Sequence, residues 1–345
     1  MTALLSHLTT LRVGGPARDL LAPATAAELV ETALEIWGAG DEWLALGGGS
    51  NLVVGDGGFD GSVIRLVTRG IDEIPSPTGA TRLRVQAGES WDGLVAHTVD
   101  RGLAGIEALS GIPGSSGAAP IQNIGAYGQD IAESLVAVEF LDYLTGGLER
   151  LEPAAMGLGY RTSAFKRGRQ GIVVAIELDL DDNGGLSRPV AYPQLATALG
   201  VELGARVPVA RVRESVLALR ASKGMVLDAA APDTASAGSF FTNPIVDARF
   251  ARSLPDAAPR WPVEPDQVKL SAAWLIERAG IGRGFALPGS RAGISGKHTL
   301  AITNRGGAPA SDVAELARFV QERVRNEFGV ALHPEPVFVG FDSAE

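Results

Sequence analysis

Apolar residues recur at helical spacing near the end of the chain. Val313, Leu316, Val320, Val324 and Phe328 form one stripe, and Gly329 closes it, so the pattern predicts a helix over 311–328. A second helix starts at Thr25, where Glu28 completes a capping box; Leu29, Ala33, Leu34 and Trp37 share its apolar face and 38–40 end it. The same period marks 88–108 (Leu94, Val95, Val99, Leu103), 212–223 (Val212, Val216, Leu219) and 269–280 (Leu270, Trp274, Leu275). Short apolar runs predict strands at 43–46, 52–54, 63–67, 83–87, 135–141, 172–178 and 299–303. Residues 181–188 read as a polar connection and 226–239 as irregular chain. No internal repeat is present. The class is mixed helix and strand.

Two glycine-rich segments interrupt this pattern. Gly47, Gly48 and Gly49, followed by Ser50 and Asn51, sit between two strands; they are either a hairpin turn or a row of backbone N–H donors for a pyrophosphate. The segment 109–128 ends in SGIPGSSGAAPIQNIGAYG and mixes glycine with Leu109, Ile112, Ile121, Ile124 and Tyr127. A linker would be polar. This one reads as a buried loop, without secondary structure, around something flat and partly anionic, and so long a loop within a compact domain is usually functional.

Composition narrows the ligand. Forty acidic residues against thirty basic ones give a net charge of −10, and no basic face or stripe appears, so nucleic acid is not expected as a partner. There is no cysteine, which excludes disulfides, thiolate metal sites and Fe–S clusters. His7, His97, His298 and His333 share no metal-ligand spacing, and no metal is expected. The chain start lacks the pattern of a signal peptide and no apolar run approaches bilayer length, so a cytoplasmic address and no membrane partner are the expectation. The segment 289–298 departs from a P-loop at Arg291 and His298, and 47–52 departs from the Rossmann fingerprint at Leu52. The two loops together suggest a dinucleotide held without a Rossmann fold.

The segments LGGGSN (46–51) and 110–128 resemble the FAD-binding loops of the MurB family, the UDP-N-acetylenolpyruvoylglucosamine reductases. The resemblance continues in order through TLRVGGPA (10–17), GYRTSAFK (159–166), SAGSFFTNP (236–244), KLSAAWLI (269–276) and LHPEP (332–336). It implies an α+β chain: a two-subdomain FAD-binding fold of the vanillyl-alcohol-oxidase/PCMH type (1–70 with 329–345, and 71–212) plus a third α+β substrate-binding domain (213–328) capping the flavin. Non-covalent FAD would be held by Gly47, Gly48, Gly49, Ser50, Asn51, Gly111, Pro113, Gly114, Ser115, Gly117, Ala118, Gln122, Asn123, Gly125, Ala126, Tyr127 and Arg220.

The resemblance also assigns the chemistry. NADPH would reduce the flavin, and N5 would then pass hydride to C3 of UDP-N-acetylglucosamine enolpyruvate, a step of peptidoglycan precursor synthesis. Arg161, by itself a candidate surface ion-pair residue, would clamp the enolpyruvyl carboxylate. Ser239, by itself a turn serine, would protonate C2. Glu335, stiffened by Pro334 and Pro336 or else a tail carboxylate, would stabilise the charge with Arg161. Tyr192, otherwise a surface aromatic, matches the tyrosine of the subclass with an extra loop over the UDP-sugar. Lys223 and Asn243 would touch diphosphate or carboxylate, and Tyr127 both ligands. A monomer is the expectation.

Ser116 stands where the family often has Val, Thr162 and His333 replace acidic residues, and 224–235 is longer than usual. An FAD-dependent oxidase of the same broader group is the alternative, disfavoured by the Arg161, Ser239 and Glu335 blocks. A nucleotide-binding regulator would need only the glycine loops.

Overall fold

The computed structural model describes residues 3–341. They fall into two compact units: 17–49 with 60–222, and 3–16 with 50–59 and 223 onward.

The first unit is organised by the strand Gly171–Asp182, whose apolar run is buried on both faces. It lies at the centre of an antiparallel sheet ordered Leu148–Leu151, Leu135–Asp142, Gly171–Asp182, Thr81–Gln86, Ile71–Ile74. Charged residues on this sheet are tied across strands by forked pairs. Arg82 holds Asp179 at 2.6 and 2.7 Å, Arg84 holds Glu139 at 2.6 Å twice, and Arg150 holds Glu177 at 3.0 and 2.6 Å. Such two-point bonding fixes register as well as charge. A smaller sheet orders Ala17–Leu21, Phe59–Arg65 and Trp43–Leu46, the last two parallel. The helix Ala26–Ala39 has the predicted capping box at Thr25 and Glu28. Its buried face is Leu29, Ala33 and Ile36; Leu34, placed on that face by the sequence, is exposed.

The second unit is built on the helix Ala310–Phe328, with Val313, Leu316, Val320 and Val324 fully buried, as the stripe predicted. The helix Ala272–Arg278 and the hairpin Ala292–Ile294/Ile302–Asn304 share its core with Phe240, Phe241, Leu11 and Val53. The C-terminal strand Val337–Val339 pairs in parallel with Leu52–Val54, in the register Val337↔Leu52.

Four predicted elements differ. The helix expected over 88–108 is Trp91–Asp100, started by Ser90, whose hydroxyl accepts the Gly93 N–H. Leu103, read as helical, belongs to a two-residue strand on Asp181 and Asp182, which had been read as part of the polar connection. The helix expected from 269 begins at Ala272. Ser271 caps it, and Lys269 lies in the strand Gln267–Leu270, paired with Ile245 and Trp261. The strand expected at 299–303 is Ile302–Asn304. In the first three, a polar cap or a long-range ladder overrides a local apolar period, which only tertiary pairing decides. The loop 109–128 is buried as expected, but it carries a 3-10 turn at Ser116–Ala118 and a short strand at Gly125–Ala126.

Truncating Leu316 tests the core of the second unit. Leu316→Ala is expected to cost about 2–5 kcal/mol. A denaturant midpoint unchanged from wild type would show that this stripe does not carry the packing.

Candidate functional site

The two glycine segments meet within the first unit, with Gly47 and Gly48 against Gly114 and Ser115. A Cβ on Gly48 would lie 2.6 Å from the Gly114 Cα, and one on Gly47 would strike the Ser115 hydroxyl. No other residue fits so close a backbone approach. The long loop is bound on its far side to the sheet and helix. Ser116 N–H donates to Glu89 O at 2.8 Å, Gly117 N–H to Ala87 O at 2.9 Å and Trp91 N–H to Gly114 O at 3.1 Å. Ala118 closes the 3-10 turn on Ser115 O, and Pro113 is half-buried before it.

The hydroxyls of Ser115 and Ser116 are buried with no hydrogen-bond partner. An orphaned buried hydroxyl costs about 1–3 kcal/mol unless something else satisfies it. Near the start of the loop the Arg220 guanidinium is buried and donates to Gly111 O at 3.0 Å. Burial lowers its pKa from the ordinary arginine value, with Tyr127 and Asp92 opposing. Burial in turn raises the Tyr127 phenol. Glycine backbone, two orphaned hydroxyls and one buried cation are the donor set a dinucleotide phosphate requires, so these residues fit FAD.

Three residues of this unit hold left-handed backbone without being glycine: Asn123 (φ 49°), Tyr127 (φ 49°) and Arg161 (φ 52°). Tyr127 and Gly128 turn the small hairpin Gly125–Ala126/Gln129–Asp130. The Arg161 guanidinium donates to Asn123 O at 3.2 Å and Gly125 O at 2.5 Å, lies 3.8 Å from Asp130, and stacks over the Tyr160 ring. Asn123 is itself a brace, donating to Gly159 O at 3.0 Å and accepting from Ala132 N–H at 3.2 Å. Gln122 accepts from Lys166 at 3.4 Å. Tyr192, at the N-cap of the helix Pro193–Leu199, stands edge-on to Tyr127 with ring centres 5.8 Å apart, and stays exposed.

Ser239 and Glu335 come together in the second unit. Phe240 and Phe241, both buried, anchor the chain after Ser239, and Phe241 bridges to Pro334. Phe240 N–H donates to Leu300 O at 2.7 Å, and Glu335 N–H donates to Phe240 O at 2.8 Å. Asn51 grips the same segment: its side-chain amide donates to Glu335 O at 3.2 Å and its carbonyl accepts Val337 N–H at 3.0 Å. Ser50 is half-buried beside it. The Asn243 side-chain oxygen accepts Ala272 N–H at 3.0 Å and so caps a helix. Arg161 belongs to the other unit from Ser239, Glu335, Lys223 and Asn243.

Two acidic residues matter here that the sequence did not single out. Glu107, buried before the long loop, accepts Gly105 N–H at 2.6 Å and Arg188 N–H at 2.8 Å. Asp233, inside the long connection 224–235, accepts from the Ser295 hydroxyl at 2.6 Å and Gly296 N–H at 3.0 Å. It thus holds the turn that carries His298. Burial, with Lys223 adding to it, brings the His298 pKa down to about 4. No local pattern marks either carboxylate, because their partners lie 62 or more residues away for Asp233 and up to 81 for Glu107.

Residues 18–152 match the FAD binding domain family, and 231–339 match the UDP-N-acetylenolpyruvoylglucosamine reductase C-terminal domain. The UDP-N-acetylenolpyruvoylglucosamine reductase of Leifsonia xyli is 60% identical, over 97% of this chain and 98% of its own length. The chain belongs to the UDP-N-acetylenolpyruvoylglucosamine reductase family. That of Saccharopolyspora erythraea is 50% identical, covering 97% and 94%. The crystal structure of the Thermus caldophilus reductase (MurB) superposes with a TM-score of 0.66 at 30% identity, over 98% of both chains. The α+β architecture is therefore that of an FAD-binding domain followed by the family's C-terminal domain, and the protein is an FAD-dependent oxidoreductase. Among the described residues no helix is long and apolar enough to cross a membrane.

Gly48→Ala puts a methyl group against the Gly114 backbone. The purified variant is expected to lose most of its bound flavin, read as flavin absorbance per protein; wild-type loading would refute the cradle. For His298, the folded pKa lies below the ordinary 6.5, so the unfolded chain binds the extra proton first. Its contribution to stability is complete above 6.5 and declines as pH falls toward 4. An imidazole NMR titration should find its midpoint near 4; one above 6 would contradict the burial argument.

Proposed function

We propose that this protein reduces UDP-N-acetylglucosamine enolpyruvate to UDP-N-acetylmuramate with NADPH as the reductant, a step of peptidoglycan precursor synthesis. FAD, held by the glycine loops with Ser115, Ser116 and Arg220, would supply the hydride chemistry between NADPH and C3 of the enolpyruvyl double bond. The protein's own part is to bind the carboxylate, steady the charge that develops beside it, and deliver one proton to C2.

Ser239 gives that proton from its hydroxyl. The observation that carries the reading is the bond from Glu335 N–H to Phe240 O, 2.8 Å. It ties the segment that carries Glu335 to the residue after Ser239, which supports the two acting in one site. General acid catalysis needs its donor held before the reaction, and a hydroxyl directly before two buried phenylalanines has a fixed backbone. Arg161 receives the substrate carboxylate. Its guanidinium is already aligned by two carbonyls, which orient the fork for two-point binding. Glu335 stabilises the charge with Arg161 at the transition state.

Tyr192 acts as the tyrosine of the extra-loop subclass and closes over the UDP-sugar. Its exposed ring against Tyr127 supports that role. Lys223 serves the diphosphate or carboxylate.

Ser239→Ala separates the half-reactions. Bleaching of the flavin by NADPH should keep its rate within about threefold, while its return on adding the enolpyruvyl substrate should slow roughly 10²–10⁴-fold, the usual worth of a positioned acid. Equal slowing of both would sink the proton-donor role.

A further inference from the structure

The beginning of the helix Trp91–Asp100 grips the long glycine loop at three points. Trp91 donates its ring N–H to Leu109 O at 3.2 Å and its backbone N–H to Gly114 O at 3.1 Å. Between these, the Asp92 carboxylate accepts the Gly111 N–H at 2.6 Å. On its other side the same peptide group chain is held by Arg220, which donates to Gly111 O at 3.0 Å. Gly111 is left-handed (φ 71°), and a Cβ there would meet Leu217 at 2.8 Å and Arg220 at 3.3 Å. It therefore has one backbone geometry and no side chain of its own to keep it there.

Asp92 is fixed in turn by Arg213, which donates to its two oxygens at 2.6 and 3.0 Å. Burial alone would raise the Asp92 pKa, yet the bonds from Arg213 and Gly111 hold it below the usual carboxylate range, so it is ionised near neutral pH. Arg213 and Arg220 bring two positive charges and Asp92 one negative. None of the family blocks in the sequence contains Asp92 or Arg213.

We propose that Asp92 is a positioning residue of the FAD loop: by holding the Gly111 peptide, with Arg213 behind it, it orders the loop and the Arg220 guanidinium for the cofactor. The proposal rests on the assignment of 110–128 to FAD. The carboxylate acts as a hydrogen-bond acceptor of fixed direction, so an amide oxygen at the same place preserves most of the effect.

Release of FAD from the purified holoenzyme, followed by flavin fluorescence, gives the dissociation constant for each variant. Asp92→Ala is expected to weaken FAD binding roughly tenfold to hundredfold, the usual worth of a hydrogen bond to a charged group. Asp92→Asn should stay within about threefold of wild type because it still accepts the Gly111 N–H. Equal affinity of all three proteins overturns the proposal, and so does equal weakening by Ala and Asn. If Asp92→Ala does not fold, Arg213→Met asks the same question by freeing the carboxylate without touching Gly111; wild-type affinity in that variant overturns it. Wild-type protein that neither carries nor takes up FAD would overturn the cofactor assignment itself, and this proposal with it.

Discussion

The parallel pairing of Val337–Val339 with Leu52–Val54 is the constraint on which the reactive part of the second unit depends. A parallel pair cannot close through a tight turn. Here Val337 pairs with Leu52, with most of the chain between them. Its consequence is local. The strand's approach runs past Asn51, which grips Glu335, and past Phe240, which accepts the Glu335 N–H. Glu335 is thereby determined by contacts at both its backbone N–H and its carbonyl. Its main chain therefore has little freedom.

A different device governs Arg161. Left-handed backbone at a residue with a Cβ costs of order 1–3 kcal/mol and persists only where the surroundings over-determine it. Asn123, Tyr127 and Arg161 share that conformation; the Arg161 guanidinium donates to Asn123 O, and the Asn123 amide donates to Gly159 O, two residues before Arg161. Strain at one is held by bonds from the next. The cluster places one guanidinium, one phenol and the hairpin between them.

The sequence made the helices with strong periodicity legible, and both glycine segments with them. The stripe on Ala310–Phe328 and the capping box at Thr25 are local signals, complete within a few turns of chain. Less legible were the edges set by distant partners. Leu103 continued an apolar helical period, yet its backbone pairs with Asp182, because the end of the long central strand offered a ladder the helix did not. Lys269 opened an apparent helix, but its neighbours across the hairpin took its backbone first and left Ser271 to cap. Glu107 and Asp233 carried no local pattern at all. Such a carboxylate is visible in sequence only when its donors are nearby; Asp233 has Ser295 and Gly296, and Glu107 has Arg188 besides the neighbouring Gly105.

The same distinction sharpens what the asparagines do. Family likeness groups Asn51, Asn123 and Asn243 with ligand-binding residues, and residue type alone cannot separate an amide that touches ligand from one that touches main chain. In the structure each is engaged with backbone: Asn51 with Glu335, Asn123 with Gly159 and Ala132, Asn243 with Ala272. An amide carries both donor and acceptor on one short side chain, so it can join two backbone segments that no ladder connects. Placed beside loops, where backbone groups would otherwise go unpaired, it substitutes for secondary structure. The polar residues around this site therefore work in two layers. Glycine amides, Ser115, Ser116 and Arg220 form a donor surface in the first unit, where Asp92 holds the Gly111 backbone and Asn123 braces Gly159 and Ala132; Asn51 and Asn243 brace backbone of the second unit in the same way.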